Sequence, residues 1–239
     1  MNRLLIGFAL LLLFMGSMVA AEKVVLVGSG APDPKDALII ERLEKMGFTL
    51  DIHIDAGEHP VDLNGVDLVF ISESTTSGNI ADAYANSSVP VVNCETWTYD
   101  DMGFAPNDAG FNDLAGDTLA IVKADHPITQ GLPAEVQVYD PAIVVMTAND
   151  LQGDVEILAV RADDPTRIAI SVYEKGAQTL KGETQARHVN IFPHSTGWGM
   201  VTDDGWKLIE NSVLYALGKS LAVEPVGKLT TTWAGIKGQ

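Results

Sequence analysis

Apolar residues in this chain fall in short continuous runs rather than in strict alternation. The clearest run is Val66 to Ser72, followed by a mixed stretch from Glu73 to Asn86 and a second run at Val89 to Asn93. Continuous runs of this length are expected of strands covered on both faces, as in a parallel sheet. The segment therefore predicts strand, helix, strand. Ser72-Glu73-Ser74 and Cys94-Glu95-Thr96-Trp97 fall at the carboxyl ends, where open α/β sheets collect their ligands.

Upstream, Lys23 to Val27 predicts a strand ending in Gly28-Ser29-Gly30. A helix follows, with Asp33 as N-cap, Pro34 at its first position, Gly47 just past its end, and Ile39, Leu43 and Met46 on its inner stripe. Phe48 to Ile54 is the second strand. The first half thus reads strand, helix, strand, strand, helix, strand, which predicts a three-layer, doubly wound, mostly parallel α/β sheet with right-handed crossovers.

Beyond Trp97 the pattern changes. Asp100 to Asp117 is a Gly, Asn and Asp-rich excursion, and His126-Pro-Ile-Thr-Gln-Gly-Leu-Pro133 is a rigid turn. Strands are predicted at Thr118 to Val122, Val136 to Tyr139, Ala142 to Met146, Glu156 to Val160 and Ile168 to Tyr173. Their spacing suggests an antiparallel edge or a small added sheet. His188 to Phe192 is the last core strand. Trp206 to Leu217 is the last large helix, capped by Asp203 or Asp204, ended by Gly218, with Trp206, Ile209, Val213 and Leu217 facing inward.

The two ends read differently. Arg3, the apolar run Leu4 to Met15 and the small residues up to Ala21 predict a cleaved signal peptide over 1–21 and an exported chain, periplasmic or extracellular. One domain is expected over 22–220, with no membrane span after cleavage. In the tail, 221–239, Leu229, Trp233 and Ile236 lie at helical spacing against an extended-favouring Thr230-Thr231-Thr232. It docks on its own domain, takes a protein partner or stays disordered. A formal charge of −17 removes nucleic acid and anionic membranes from the partner list. Cys94 is the single cysteine, so no internal disulfide is available. Nothing in the pattern specifies an oligomeric state.

The order of elements, the His126 to Pro133 turn, and a closing strand, Phe192-Pro193-His194 loop and Trp-containing helix resemble the ThuA-like (trehalose-utilisation-like) proteins of the class I glutamine amidotransferase-like superfamily. The resemblance spans Lys23 to Gly218. It implies a flavodoxin-like sheet and, loosely, sugar metabolism. In amidotransferases a nucleophilic Cys sits on a Gly-flanked turn after the strand that Val89 to Asn93 resembles, with a His followed by an acid later. Here that nucleophile position falls on Glu95, with Cys94 one residue early. His194 is followed by Ser195-Thr196-Gly197 rather than the acid. A Cys-His glutaminase is therefore not expected.

Candidate chemistry gathers at the strand ends. Glu95 with His194, assisted by Glu73, could form a general acid/base set; Glu95 and His194 could instead bind polar backbone at strand ends, and Glu73 could be a helix N-terminal charge favoured by the dipole. Gly28, Ser29, Ser72, Ser74, Cys94, Trp97, His126 and Trp198 are the candidate ligand-binding residues. Trp97, Tyr99, Phe104 and Trp198 could stack on a sugar ring or pack in the core. Gly28-Ser29-Gly30 with Asp55 lacks the third glycine of a dinucleotide site, and no cofactor is expected. His53 and His59 show no metal-ligand spacing; Asn107-Asp108 and Asn112-Asp113 with Asp117 could hold Ca²⁺ through oxygen ligands but match no twelve-residue calcium loop, so solvated turns and no metal are expected. Two readings stay open. One is a non-catalytic binding module for a carbohydrate-related small molecule or a protein partner. The other is a hydrolase or isomerase-like enzyme acting on a sugar derivative through Glu95 and His194.

Overall fold

The computed structural model describes residues 21–29, 35–107, 109–111 and 115–219. All but the last residue of the expected signal peptide lies outside these residues. So do the tail from 220, the expected helix cap at Asp33 and Pro34, Gly30, Asp108, Asn112 and Asp113.

Among the described residues the main path of the sheet runs through nine strands: β1 Lys23–Gly28, β2 Thr49–Ile54, β3 Leu68–Ile71, β4 Val91–Asn93, β5 Thr118–Ile121, β6 Glu135–Gln137, β7 Val155–Arg161, β8 Ile168–Tyr173 and β9 His188–Asn190. They lie side by side in the order β2-β1-β3-β4-β9-β8-β7-β5-β6. The five from β2 to β9 are parallel. From β9 onward each neighbour is antiparallel. The antiparallel element thus continues the main sheet. Two-residue ladders at Gly110–Phe111 with Thr147–Ala148, and at Ala115–Gly116 with Ile143–Val144, tie the excursion after Trp97 to this half.

The continuous apolar runs have their predicted cause, since the parallel strands are covered on both faces. Val24, Leu26, Phe70, Val92 and Val189 pack beneath α1 (Ala37–Lys45) and α2 (Asp203–Ala216) through Ile39, Leu43, Leu208, Ile209 and Val213. Val25, Val27, Val69 and Ile71 face the other way, into Ile80, Tyr84, Tyr99, Phe104 and Tyr173.

Three local expectations change. The helix expected over Glu73 to Asn86 contracts to one turn, Ser77–Ile80, closed by Ala81 at φ 38. Ser, Thr, Gly and Asn there are weak helix formers, and side chains take the backbone donors first: Thr76 N–H goes to Asp55 at 2.6 Å and Ser74 N–H to Ser72 Oγ at 3.2 Å. α1 starts at Ala37, with Asp36 at the cap position but its side chain bonded elsewhere. α2 is capped by Thr202, whose Oγ1 accepts Gly205 N–H at 3.1 Å, leaving Asp203 and Asp204 in the first turn near the positive end of the helix dipole. Gly47 and Gly218, at φ +94 and +68, end the two helices as their positions predicted. Among the described residues no helix is long and apolar enough to cross a membrane.

Candidate functional site

Sheet register sets the site. Val27 pairs with Ile71, Ile71 with Asn93, and Asn93 with Asn190. Counting onward from that level row, Ser29, Glu73 and Glu95 each stand two residues beyond it, and His194 follows β9 by four. Neighbouring strands are about 4.8 Å apart, so these residues rise from adjacent positions on one rim.

Glu73 reaches across to the loop after β9. Its Oε1 is 3.4 Å from His194 Nε2, and its Oε2 accepts Ser195 N–H at 2.7 Å. His194 Nδ1 accepts Thr196 N–H at 3.2 Å, which assigns the proton of the neutral ring to Nε2, facing Glu73. Tyr139 Oη accepts His194 N–H at 3.0 Å and holds the loop from below.

Glu95 lies deeper, at 3 % exposure. Its Oε1 accepts Trp97 N–H at 2.9 Å, and its own N–H donates to Asn93 Oδ1 at 2.9 Å. Burial pushes the Glu95 carboxyl from 4.5 up to about 8; the Trp97 N–H opposes this and the Glu73 charge adds to it. At neutral pH Glu95 is therefore an uncharged acid that can both donate and accept a hydrogen bond. Cys94, at the same strand end, is fully buried. Burial pushes its thiol up, and the charges of Glu73, Asp36 and Glu95 push the same way. A thiol so placed supplies no thiolate nucleophile.

Gly28, Ser29, Ser72 and Ser74 meet on Asp36. Ser72 and Ser74 each donate to the Asp36 carboxylate at 2.5 Å, and Ser29 N–H donates to Ser74 Oγ at 3.0 Å. Trp97 is half-buried at this end of the sheet.

Other expected members go elsewhere. Among the described residues no hydrogen bond or ion pair joins Glu95 to His194; the partner of His194 is Glu73. Trp198 is 2 % exposed, its ring stacked 5.9 Å from that of Trp206, and Tyr99 and Phe104 are buried too, so these three aromatics serve the core rather than a sugar platform. His126 lies at the far end of the sheet. Its ring packs 4.5 Å from Tyr215, which in turn lies 4.0 Å from the guanidinium of Arg187, the residue before β9, whereas His194 follows β9. His126 Nδ1 accepts Ile128 N–H at 3.1 Å and stiffens its own turn.

Asp36, Asn93, Tyr139 and Ser195 belong to the site without having been singled out in the sequence. Asn93 left a signal, a polar residue closing an apolar strand. Asp36 left none, because its partners are 36 and 38 residues away. Among the described residues no cluster of three or more His, Cys, Asp or Glu is placed to hold a metal ion.

No protein-family model matches the sequence, and no curated protein does. Solved structures do match in fold. A GMP synthase component from Thermoplasma acidophilum superposes with a TM-score of 0.55 at 13% identity, over 83% of this chain and 95% of that one. The cytoplasmic protein STM3548 of Salmonella typhimurium gives 0.55 at 14%, over 81% and 98%. Together with the sheet order, these likenesses show the fold: the chain has a glutamine amidotransferase-like, mostly parallel α/β fold. Within that fold it is similar to the ThuA-like proteins. One from Bacteroides uniformis superposes with a TM-score of 0.52 at 12% identity, over 87% of this chain and 96% of that one.

Proposed function

We propose that this is an exported amidotransferase-like domain that binds a neutral, hydroxyl-rich, carbohydrate-related ligand at the Glu73, Glu95 and His194 rim without glutaminase chemistry. The carrying observation is Glu95, a buried carboxylic acid held uncharged beside the Glu73 carboxylate. An uncharged acid offers a sugar hydroxyl both a donor and an acceptor, while Glu73 and Asp36 repel anionic ligands. Both nitrogens of His194 face protein groups, Nδ1 accepting Thr196 N–H and Nε2 lying 3.4 Å from Glu73, which directs the ring toward holding Glu73. Cys94 is out of reach of substrate. Export rests on the sequence of residues 1–21, and a protein partner for the tail on the spacing of Leu229, Trp233 and Ile236.

A second reading draws on the same acid. In a hydrolase or isomerase-like enzyme on a sugar derivative, Glu95 would donate the proton and Glu73, oriented by His194, would act as base. A thermal-shift screen of neutral sugars and polyols at pH 6 and pH 9 tests the first reading, and product analysis by NMR separates the second. Binding is expected to raise Tm at pH 6 and to weaken at pH 9 in the wild type, but to keep its strength across that range in Glu95→Gln. A sugar response indifferent to both pH and Glu95→Gln, or no response to any sugar, would overturn it.

A further inference from the structure

Asp36 is 1 % exposed and sits at the amino end of α1, yet its side chain caps nothing there. Its Oδ1 takes the hydroxyl of Ser72 and its Oδ2 the hydroxyl of Ser74, both at 2.5 Å. These are the two residues on either side of Glu73. The bracket is closed further by Ser74 N–H on Ser72 Oγ at 3.2 Å and by Ser29 N–H on Ser74 Oγ at 3.0 Å. Gly28 makes room for it: a Cβ there would collide with Asp36 Oδ2 and stand 2.8 Å from Ser74 Oγ. Both neighbours of Glu73 are thus tied to one carboxylate, and its own side chain meets His194 and Ser195.

We propose that Asp36 is a positioning residue for Glu73: by holding the hydroxyls of Ser72 and Ser74 with one carboxylate, it aims the Glu73 carboxylate at the His194 imidazole and the Ser195 N–H. Charge-assisted O–H to carboxylate bonds are about twice as strong as neutral ones, which suits a strut that must not swing. Ordering Glu73 in this way places its charge beside Glu95 at a set distance. The inference rests on Glu73 and Glu95 forming one site, as in the proposed function, but not on any ligand.

The test perturbs the bracket without changing the number of charges. Ser74→Ala removes one strut; Gly28→Ala pushes on the other side, in a backbone conformation open to alanine. The readout is the titration midpoint of the Glu95 carboxyl, followed by carboxyl carbon NMR without ligand, in the native background and in Glu73→Gln. Both bracket variants are expected to shift the Glu95 midpoint down by roughly half a unit to one unit in the native background, because a wandering Glu73 repels it less. In the Glu73→Gln background they are expected to move it no further. Ser74→Thr, which keeps the hydroxyl, is expected to restore the native midpoint. A midpoint unmoved in the native background, or moved equally in both backgrounds, would overturn the positioning role. Failure of every sugar to bind would leave this cycle standing, so the two ideas fail separately.

Discussion

Replacing Glu95 by Gln puts a neutral amide where the folded protein holds a neutral acid, and the amide oxygen can keep the Trp97 N–H. In the unfolded chain the acid ionises at 4.5, whereas in the folded protein it does so only at about 8. Between those values folding retains a proton that the unfolded chain has released. Stability is therefore complete below pH 4.5 and is lost as pH rises through 8. Each tenfold step in proton concentration is worth 1.36 kcal/mol, so the loss reaches roughly 3 kcal/mol by pH 7 and roughly 5 kcal/mol above pH 8. Glu95→Gln removes this dependence at a fixed packing cost. Urea unfolding of both proteins at pH 5, 7 and 9 should show the variant gaining on the wild type steadily with pH. Parallel pH profiles would refute the reasoning, since they would mean that Glu95 is ionised in the folded state throughout.

Two further outcomes follow from burial. His188 is fully buried, and that burial lowers it from 6.5 to about 4. The unfolded state therefore binds a proton first, and stability should fall by roughly 3 kcal/mol as pH drops from 6.5 toward 4; His188→Leu should flatten this limb of the urea-derived curve, and an unchanged slope would contradict it. Cys94 should stay unreactive toward a disulfide reagent at pH 8 in the folded protein and react at once in denaturant, because both access and the thiolate are withheld. Rapid native labelling would exclude the buried placement.

The strand ends were legible in the chain because a segment covered on both faces must be apolar throughout, so Val66 to Ser72 and Val89 to Asn93 announced themselves. Helix ends were legible only where a backbone constraint demanded it, as at Gly47 and Gly218. The helix expected after Glu73 was lost to competition that no window of sequence displays, since Asp55 and Ser72 claim the backbone donors of Thr76 and Ser74.

Sequence alone determined that Glu73 and Glu95 close consecutive buried strands of a mostly parallel sheet, because periodicity and burial are local properties of the chain. Only the tertiary structure decided their partners. Which side chain His194 meets depends on register and on the direction in which each strand end turns, so it pairs with Glu73 while Glu95 keeps its proton in the core. The same long-range packing drew Asp36 into the site, sent His126 to the opposite end and buried Trp198. Contacts between distant segments are fixed by how the layers stack, and no single stretch of residues carries that information.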